Sequence, residues 1–150
     1  MRYWLVKTEP HVYSIDDLKR DLKTAWTGVR NYQARNFMRD MQVGDIALVY
    51  HSNAEPPGVV GVAKVAKLAQ PDPTQFDRKS EYFDEKATLE SPRWHCPELG
   101  FHKKFAKMVS LDELRQNKEL EGLLLLQRGS RLSVIPVEEE HYRVIEALGK

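Results

Sequence analysis

The first apolar run of the chain, Tyr3 to Lys7, mixes aromatic and β-branched residues and stops short of Pro10, which predicts an opening strand. Ser14 stands three positions before Asp17 in a capping-box pattern, and Ile15, Leu18 and Leu22 follow at spacings that share one helix face. A short helix is expected there. Asn31 is a candidate N-cap for a second helix, in which Ala34, Phe37, Met38 and Met41 fall at i, i+3, i+4 and i+7 before Gly44 and Asp45 end the pattern. Ile46 to Tyr50 is a dense apolar run between turn residues, as a largely buried strand requires, and Pro56, Pro57 and Gly58 make the next connection a loop.

Val59 to Leu68 is apolar on both alternating faces and contains Gly61, which predicts a long strand that bends near the glycine. From Gln70 to Pro97 the chain turns polar and is interrupted by Pro71, Pro73, Pro92 and Pro97, so a long excursion is expected, with one strand near Ala87. Phe101 to Val109 suits another strand, and Ser110 with Glu113 repeats the capping pattern ahead of a short helix. Arg131 to Pro136 alternates as a strand, and Val137, His141, Val144, Ile145 and Leu148 form the inner face of a closing helix. Strands and helices are mixed, with no internal repeat and no linker, so one α+β, barrel-like domain over residues 1–150 is expected.

A hydrophobic content of 41% in 150 residues suffices for one sizeable core. The longest apolar stretches are too short to cross a bilayer and the start of the chain lacks a signal peptide's apolar core, so no membrane partner is expected. Cys96 is the only cysteine, which forbids an internal disulfide and makes a reducing compartment, the cytoplasm by default, the expected location. Lys and Arg total 23 against 22 Asp and Glu, and a net charge of +1 argues against broad electrostatic capture of nucleic acid. The distribution is less even: Arg30, Arg35 and Arg39 share one segment, Arg128 and Arg131 another, and Glu138 to Glu140 a third. A local basic patch is compatible with that total.

Five strings in order carry a family likeness: Trp4 to Pro10 (WLVKTEP), Trp26 to Asn36 (WTGVRNYQARN), Tyr50 to Asn53 (YHSN), Ser91 to Trp94 (SPRW) and Gln127 to Pro136 (QRGSRLSVIP). Together they resemble the EVE family, relatives of the YTH and ASCH domains in the PUA-like group, over nearly the whole chain. The resemblance implies a mixed-sheet pseudo-barrel flanked by short helices, with a pocket for one modified base. YTH relatives read a methylated adenine in RNA, and EVE domains are similarly thought to read modified bases in DNA or RNA. The implied partner is a nucleic acid or nucleoside carrying such a base, bound by a monomer without a cofactor; the motifs do not name the base.

Holding a base outside its stack needs a flat apolar wall, polar atoms for the base edge and cations for flanking phosphates. Trp26 is the leading stacking residue, because it lies in a polar stretch where burial alone would not demand tryptophan; packing against the barrel is the alternative. Asn31 either reads a base edge or caps the second helix. Tyr50, His51 and Ser52 end a buried strand at the expected mouth of the barrel, with Ser52 the preferred polar reader and His51 alternatively a structural histidine. Arg30 and Arg35 flank a helix start and suit phosphate. Arg128 and Arg131 surround Gly129, with Ser133 on the face of Arg131, and serve phosphate or base edge unless they pair with Glu138 to Glu140. Tyr82 and Trp94 could form another wall or anchor the excursion.

His95 and Cys96 are neighbours, but no metal-ligand spacing exists and no nucleophile-elbow, Walker or dinucleotide string appears, so neither metal nor catalytic residue is expected. Lys7, Thr8 and Glu9 invite a competing reading, because some ASCH relatives are similar to amidohydrolases that use lysine, threonine and glutamate on acylated nucleosides. Strand alternation would place Lys7 and Glu9 opposite Thr8 and so oppose their convergence.

Overall fold

The computed structural model describes residues 1–129 and 131–150. Six strands form one mixed sheet: β1 (Tyr3–Thr8), β2 (Lys23–Ala25), β3 (Ile46–His51), β4 (Gly58–Pro71), β5 (His95–Ser110) and β6 (Val134–Val137), in the order β2-β5-β4-β3-β1-β6. Only β1 and β3 run parallel; the other neighbours are antiparallel. The helices are α1 (Ile15–Asp21), α2 (Tyr32–Asp40), α3 (Leu111–Gln116) and α4 (Glu139–Leu148). The architecture is thus the expected α+β sheet with short helices, open between β2 and β6 rather than a closed barrel. No helix of the described residues is long and apolar enough to cross a membrane.

Both faces of the sheet are covered. On β1, Trp4 and Val6 join a core with α1 and α2, while Leu5 joins a second core with Leu114, Leu120 and Ile145. The central strand β3 is therefore buried along its whole length, which is why its sequence reads as a continuous apolar run instead of an alternating one. Gly61 lets α1 lie close: a Cβ there would fall 2.8 Å from Ile15 Cδ1 and 2.5 Å from the Lys103 carbonyl. The register of β4 against β5 shifts beside that glycine, where the bend was expected. Both capping boxes form, Ser14 with Asp17 and Ser110 with Glu113.

Several expectations change: Val137, expected on the closing helix, ends β6, and Leu22, expected on the packed face of α1, is its exposed C-cap. No strand forms near Ala87; instead Asp84 accepts from Lys86 and Trp94, and the Ala87 N–H bonds back to the Asp84 carbonyl. Short polar side chains supply the backbone with local partners there, which favours turns over a ladder. β5 begins six residues earlier than Phe101, at His95, since Pro71 and Gln70 of β4 pair with His95 and Cys96. β6 starts at Val134, not Arg131, although the Lys7 N–H still bonds the Ser133 carbonyl at 2.9 Å. Ser130, within the Gln127 to Pro136 string, lies outside the described residues. Strand β2 went unread because three residues with no apolar alternation give no signal.

The excursion from Asp72 to Trp94 is fixed by two buried polar residues. Gln75 is fully buried; its amide nitrogen donates to the carbonyls of Asp72 and Trp94, both 2.8 Å, and its oxygen accepts from the amides of Arg93 and Trp94. Asp72 accepts from the Gly28 amide at 2.8 Å, the Thr74 amide at 2.8 Å, the Thr74 hydroxyl at 2.6 Å and Arg30 at 3.2 Å. Burial alone would raise the Asp72 carboxyl, yet these bonds together hold it below its ordinary range.

Gln75→Ala leaves the buried amides of Arg93 and Trp94 without a partner, while the Asp72 and Trp94 carbonyls keep only the backbone N–H groups of Gln75 and Asp72, and it should destabilise the protein by at least about 2 kcal/mol in urea unfolding. The depressed Asp72 carboxyl fixes the sign of a pH effect. Its contribution is fully present above the unfolded value of about 4 and is lost as pH falls through the lower folded value. Acid titration followed by the fluorescence of Trp94 should show the excursion loosening only below about pH 4, and Asp72→Asn should remove that step.

Candidate nucleic-acid interface

A cleft of about 860 Å³ opens where the ends of β1, β3 and the lead into β6 meet the segment from Thr24 to Arg30. Trp26 forms its inner wall, 7% exposed and therefore at once a core residue and a cleft residue. Its ring meets Tyr13 edge-on at 6.3 Å between centroids and an interplanar angle of 89°. The other two indoles donate to carboxylates, Trp4 to Asp45 and Trp94 to Asp84. The Trp26 N–H has no such partner among the described residues. Ser52, Ser133, Tyr82 and Arg131 also line the cleft, together with Thr8, Glu9 and His11.

Tyr82 is held against the cleft by its backbone and by a glycine. Gly28 has a φ of +86°, and a Cβ on it would approach the Tyr82 ring to 2.8 Å, so this position demands glycine both for its backbone and for the ring it supports. Arg30 directs all five N–H donors at the protein: to the Tyr82 carbonyl at 3.0 and 2.8 Å, the Val29 carbonyl, Asp72 and the Thr74 hydroxyl. Arg30, expected to meet a phosphate, is therefore a clamp that fastens the excursion beside the cleft. It does border the cavity, but no donor is left over.

Other expected site residues lie elsewhere. Asn31 caps α2, accepting from the Ala34 amide at 3.0 Å, and does not border the cleft. His51 is buried, and its Nε2 accepts the Ile15 amide at 3.1 Å; burial lowers its pKa, and the bond requires the neutral tautomer with the proton on Nδ1. Tyr50 belongs to the core on the opposite face of the sheet. Trp94 stacks on Tyr32 at 4.7 Å and 17°, behind the excursion instead of in the cleft. Arg35 donates to the Arg93 carbonyl and to Asn36, and Arg128 is exposed outside the cavity. Neither Arg128 nor Arg131 pairs with Glu138 to Glu140 among the described residues, where Glu139 instead holds Arg143 at 2.7 Å.

Tyr13 escaped sequence reading, as did Gly28. The bond from the Thr8 hydroxyl to the Tyr13 carbonyl, 2.7 Å, folds the turn after β1 over the cavity, and no residue pattern announces that contact. The glycine in WTGVR was the one legible cue. Lys7, Thr8 and Glu9 all border the cleft, contrary to the expectation from alternation, because β1 ends at Thr8 and Glu9 enters a turn. Their functional groups still diverge: the Lys7 ammonium lies 5.9 Å from the Tyr50 ring centroid, on the other side, and the Thr8 hydroxyl hydrogen is committed to Tyr13. Cys96 is buried with its thiol pushed up to about 12, which leaves it without thiolate character at neutral pH.

A family model described as the EVE domain matches residues 2–148. Thymocyte nuclear protein 1 of Gallus gallus is 36% identical over 165 residues, which cover 97% of this chain and 68% of that protein. Among solved structures, a protein of Pseudomonas syringae is 49% identical, covers 99% of both chains and superposes with a TM-score of 0.96. The human THYN1 protein in complex with 5-methylcytosine containing DNA is 34% identical, with a TM-score of 0.92 over 100% of this chain and 98% of that one. From the second residue almost to the last, then, the chain belongs to the EVE domain family.

Proposed function

We infer that the protein is a non-catalytic module that binds nucleic acid by receiving one modified base, methylated or similarly altered, in the cleft beside Trp26. The observation that carries this is the pairing of an aromatic wall with unpaired polar groups in one cavity. Trp26, Tyr13 and Tyr82 offer π surface, and the Trp26 N–H, Ser52 and Ser133 offer base-edge partners. A volume of about 860 Å³ falls in the range of ligand sites and leaves room for a base and its sugar. Arg131 stands on the rim as a cation for the adjoining phosphate. The human structural neighbour in complex with 5-methylcytosine containing DNA makes 5-methylcytosine the first base to try.

The amidohydrolase alternative is supported only by the common place of Lys7, Thr8 and Glu9 in the cavity lining, and both the divergence of their functional groups and the Thr8–Tyr13 bond oppose it. Incubation with acylated nucleosides, resolved by chromatography, separates the two: product above blank would favour hydrolysis.

Oligonucleotides carrying 5-methylcytosine should bind more tightly than unmodified controls in fluorescence anisotropy. Tyr82→Ala removes one wall with little core loss and should weaken binding by about 5- to 150-fold, the equivalent of one base–aromatic stack. Gly28→Ala, which forces the Tyr82 ring aside, should weaken it in the same direction with a folded circular dichroism spectrum. Equal affinity for modified and unmodified strands, across a panel of base modifications, would defeat the proposal.

A further inference from the structure

Outside the cleft, one aromatic side chain stands at the start of an amphipathic helix, away from its buried face. Tyr32, the first residue of α2, is 50% exposed, yet it is braced from behind by Trp94, whose ring lies parallel at 4.7 Å. Arg35 is 4.8 Å from the Tyr32 centroid and 5.9 Å from that of Trp94. Arg35 thus lies against the stacked pair, and half of Tyr32 stays exposed. Arg93 donates to the Tyr32 hydroxyl at 3.2 Å and fixes the ring in its plane.

Arg35, Arg39 and Arg93 form no ion pair with any carboxylate among the described residues, whereas Arg20, Arg30 and Arg143 do. Arg35 and Arg39 are close enough to His95 to help lower its pKa, after the larger effect of burial, which places them on one surface. In a chain of net charge +1 this is a local concentration of unpaired cations around a rigid, open aromatic face. Such a combination is the general device for unpaired nucleic acid, in which bases stack on aromatic rings and cations follow the backbone. The platform is also joined to the cleft. Arg30 lies 5.2 Å from the Trp94 ring and 5.6 Å from the Tyr82 ring, so Tyr82, Arg30, Trp94 and Tyr32 make a continuous layer from the cavity wall to the outer surface.

We propose that Tyr32, backed by Trp94 and flanked by Arg35 and Arg93, is a second stacking platform, which takes an unpaired base flanking the one in the cleft, with the arginines on the phosphates between them. The proposal rests on the nucleic-acid reading above and adds to it that the ligand is a strand, locally unpaired over more than the single modified base.

The test compares the free nucleoside 5-methyl-2′-deoxycytidine with a short single strand bearing 5-methylcytosine at its centre, and with the same strand carrying abasic sites on either side. Tyr32→Ala should leave nucleoside affinity unchanged and weaken strand binding by about 5- to 150-fold. Tyr32→Phe should bind as the wild type, and the abasic strand should abolish the difference between wild type and Tyr32→Ala. Arg93→Gln should lower the magnitude of the salt slope by about 0.7 for a single strand. Unchanged strand affinity in Tyr32→Ala, alongside a preference for the modified base, overturns the platform and leaves the cleft reading standing. Loss in Tyr32→Ala without any preference for the modified base overturns the cleft reading and keeps the platform. Failure of the wild type to bind any strand removes both.

Discussion

The wall of the cleft depends on one carboxylate. Asp72 has a side chain 1% exposed, and a buried charge of that kind persists only when its oxygens are met by donors. Gly28, Thr74 and Arg30 meet them, and each ties a different part of the chain: the segment that carries Trp26, the first turn of the excursion, and the guanidinium that grips the Tyr82 carbonyl. Removing the charge would free all three at once. The excursion has no strand or long helix of its own, so this polar knot and the Gln75 plug do what a hydrogen-bonded ladder does elsewhere in the sheet.

The position of the knot explains how a small domain can keep a large concavity. Both sheet faces are already filled, one with α1 and α2 and the other with α3 and α4, so the cavity cannot be carved from either core without removing packed side chains. It lies instead at the strand ends, where loops can be displaced outward provided their backbone groups find partners. Trp26 occupies the boundary: it belongs to the core with Val29 and meets Tyr13 edge-on, and it also lines the cavity. A large aromatic side chain with one polar atom suits such a double role, because the ring can be mostly dry while the N–H stays wet.

Much of this was legible in the residues. The capping boxes at Ser14 and Ser110 and the doubly buried run of β3 were read from periodicity and turn chemistry alone, because local interactions decide them. The cleft was legible in part: Trp26, Ser52, Tyr82, Arg131 and Ser133 do border it. What could not be read was long-range. Arg30 looks like a phosphate ligand until Asp72, 42 positions away, is seen to hold it, and Trp94 looks like a cage wall until Tyr32 is found stacked on it. Asn31 and His51 are polar residues in suggestive strings whose side chains satisfy backbone amides instead. A sequence shows which groups need partners but not which distant group will supply them.

The near-neutral charge acquires a physical meaning under the proposed function. One added methyl contributes only about 0.8 kcal/mol by burial, and a pocket discriminates a methylene by about 1–3 kcal/mol at most. Phosphate contacts add affinity to every strand alike and carry no information about the base. A protein covered in cations would therefore bind modified and unmodified strands almost equally tightly under conditions where both saturate it. Keeping the net charge at +1, with Arg131 at the cleft rim and Arg35 and Arg93 beside Tyr32, leaves the small chemical difference as a larger share of the total binding energy. Selectivity then follows from a deficit of general electrostatic attraction as much as from the shape of the cavity around Trp26.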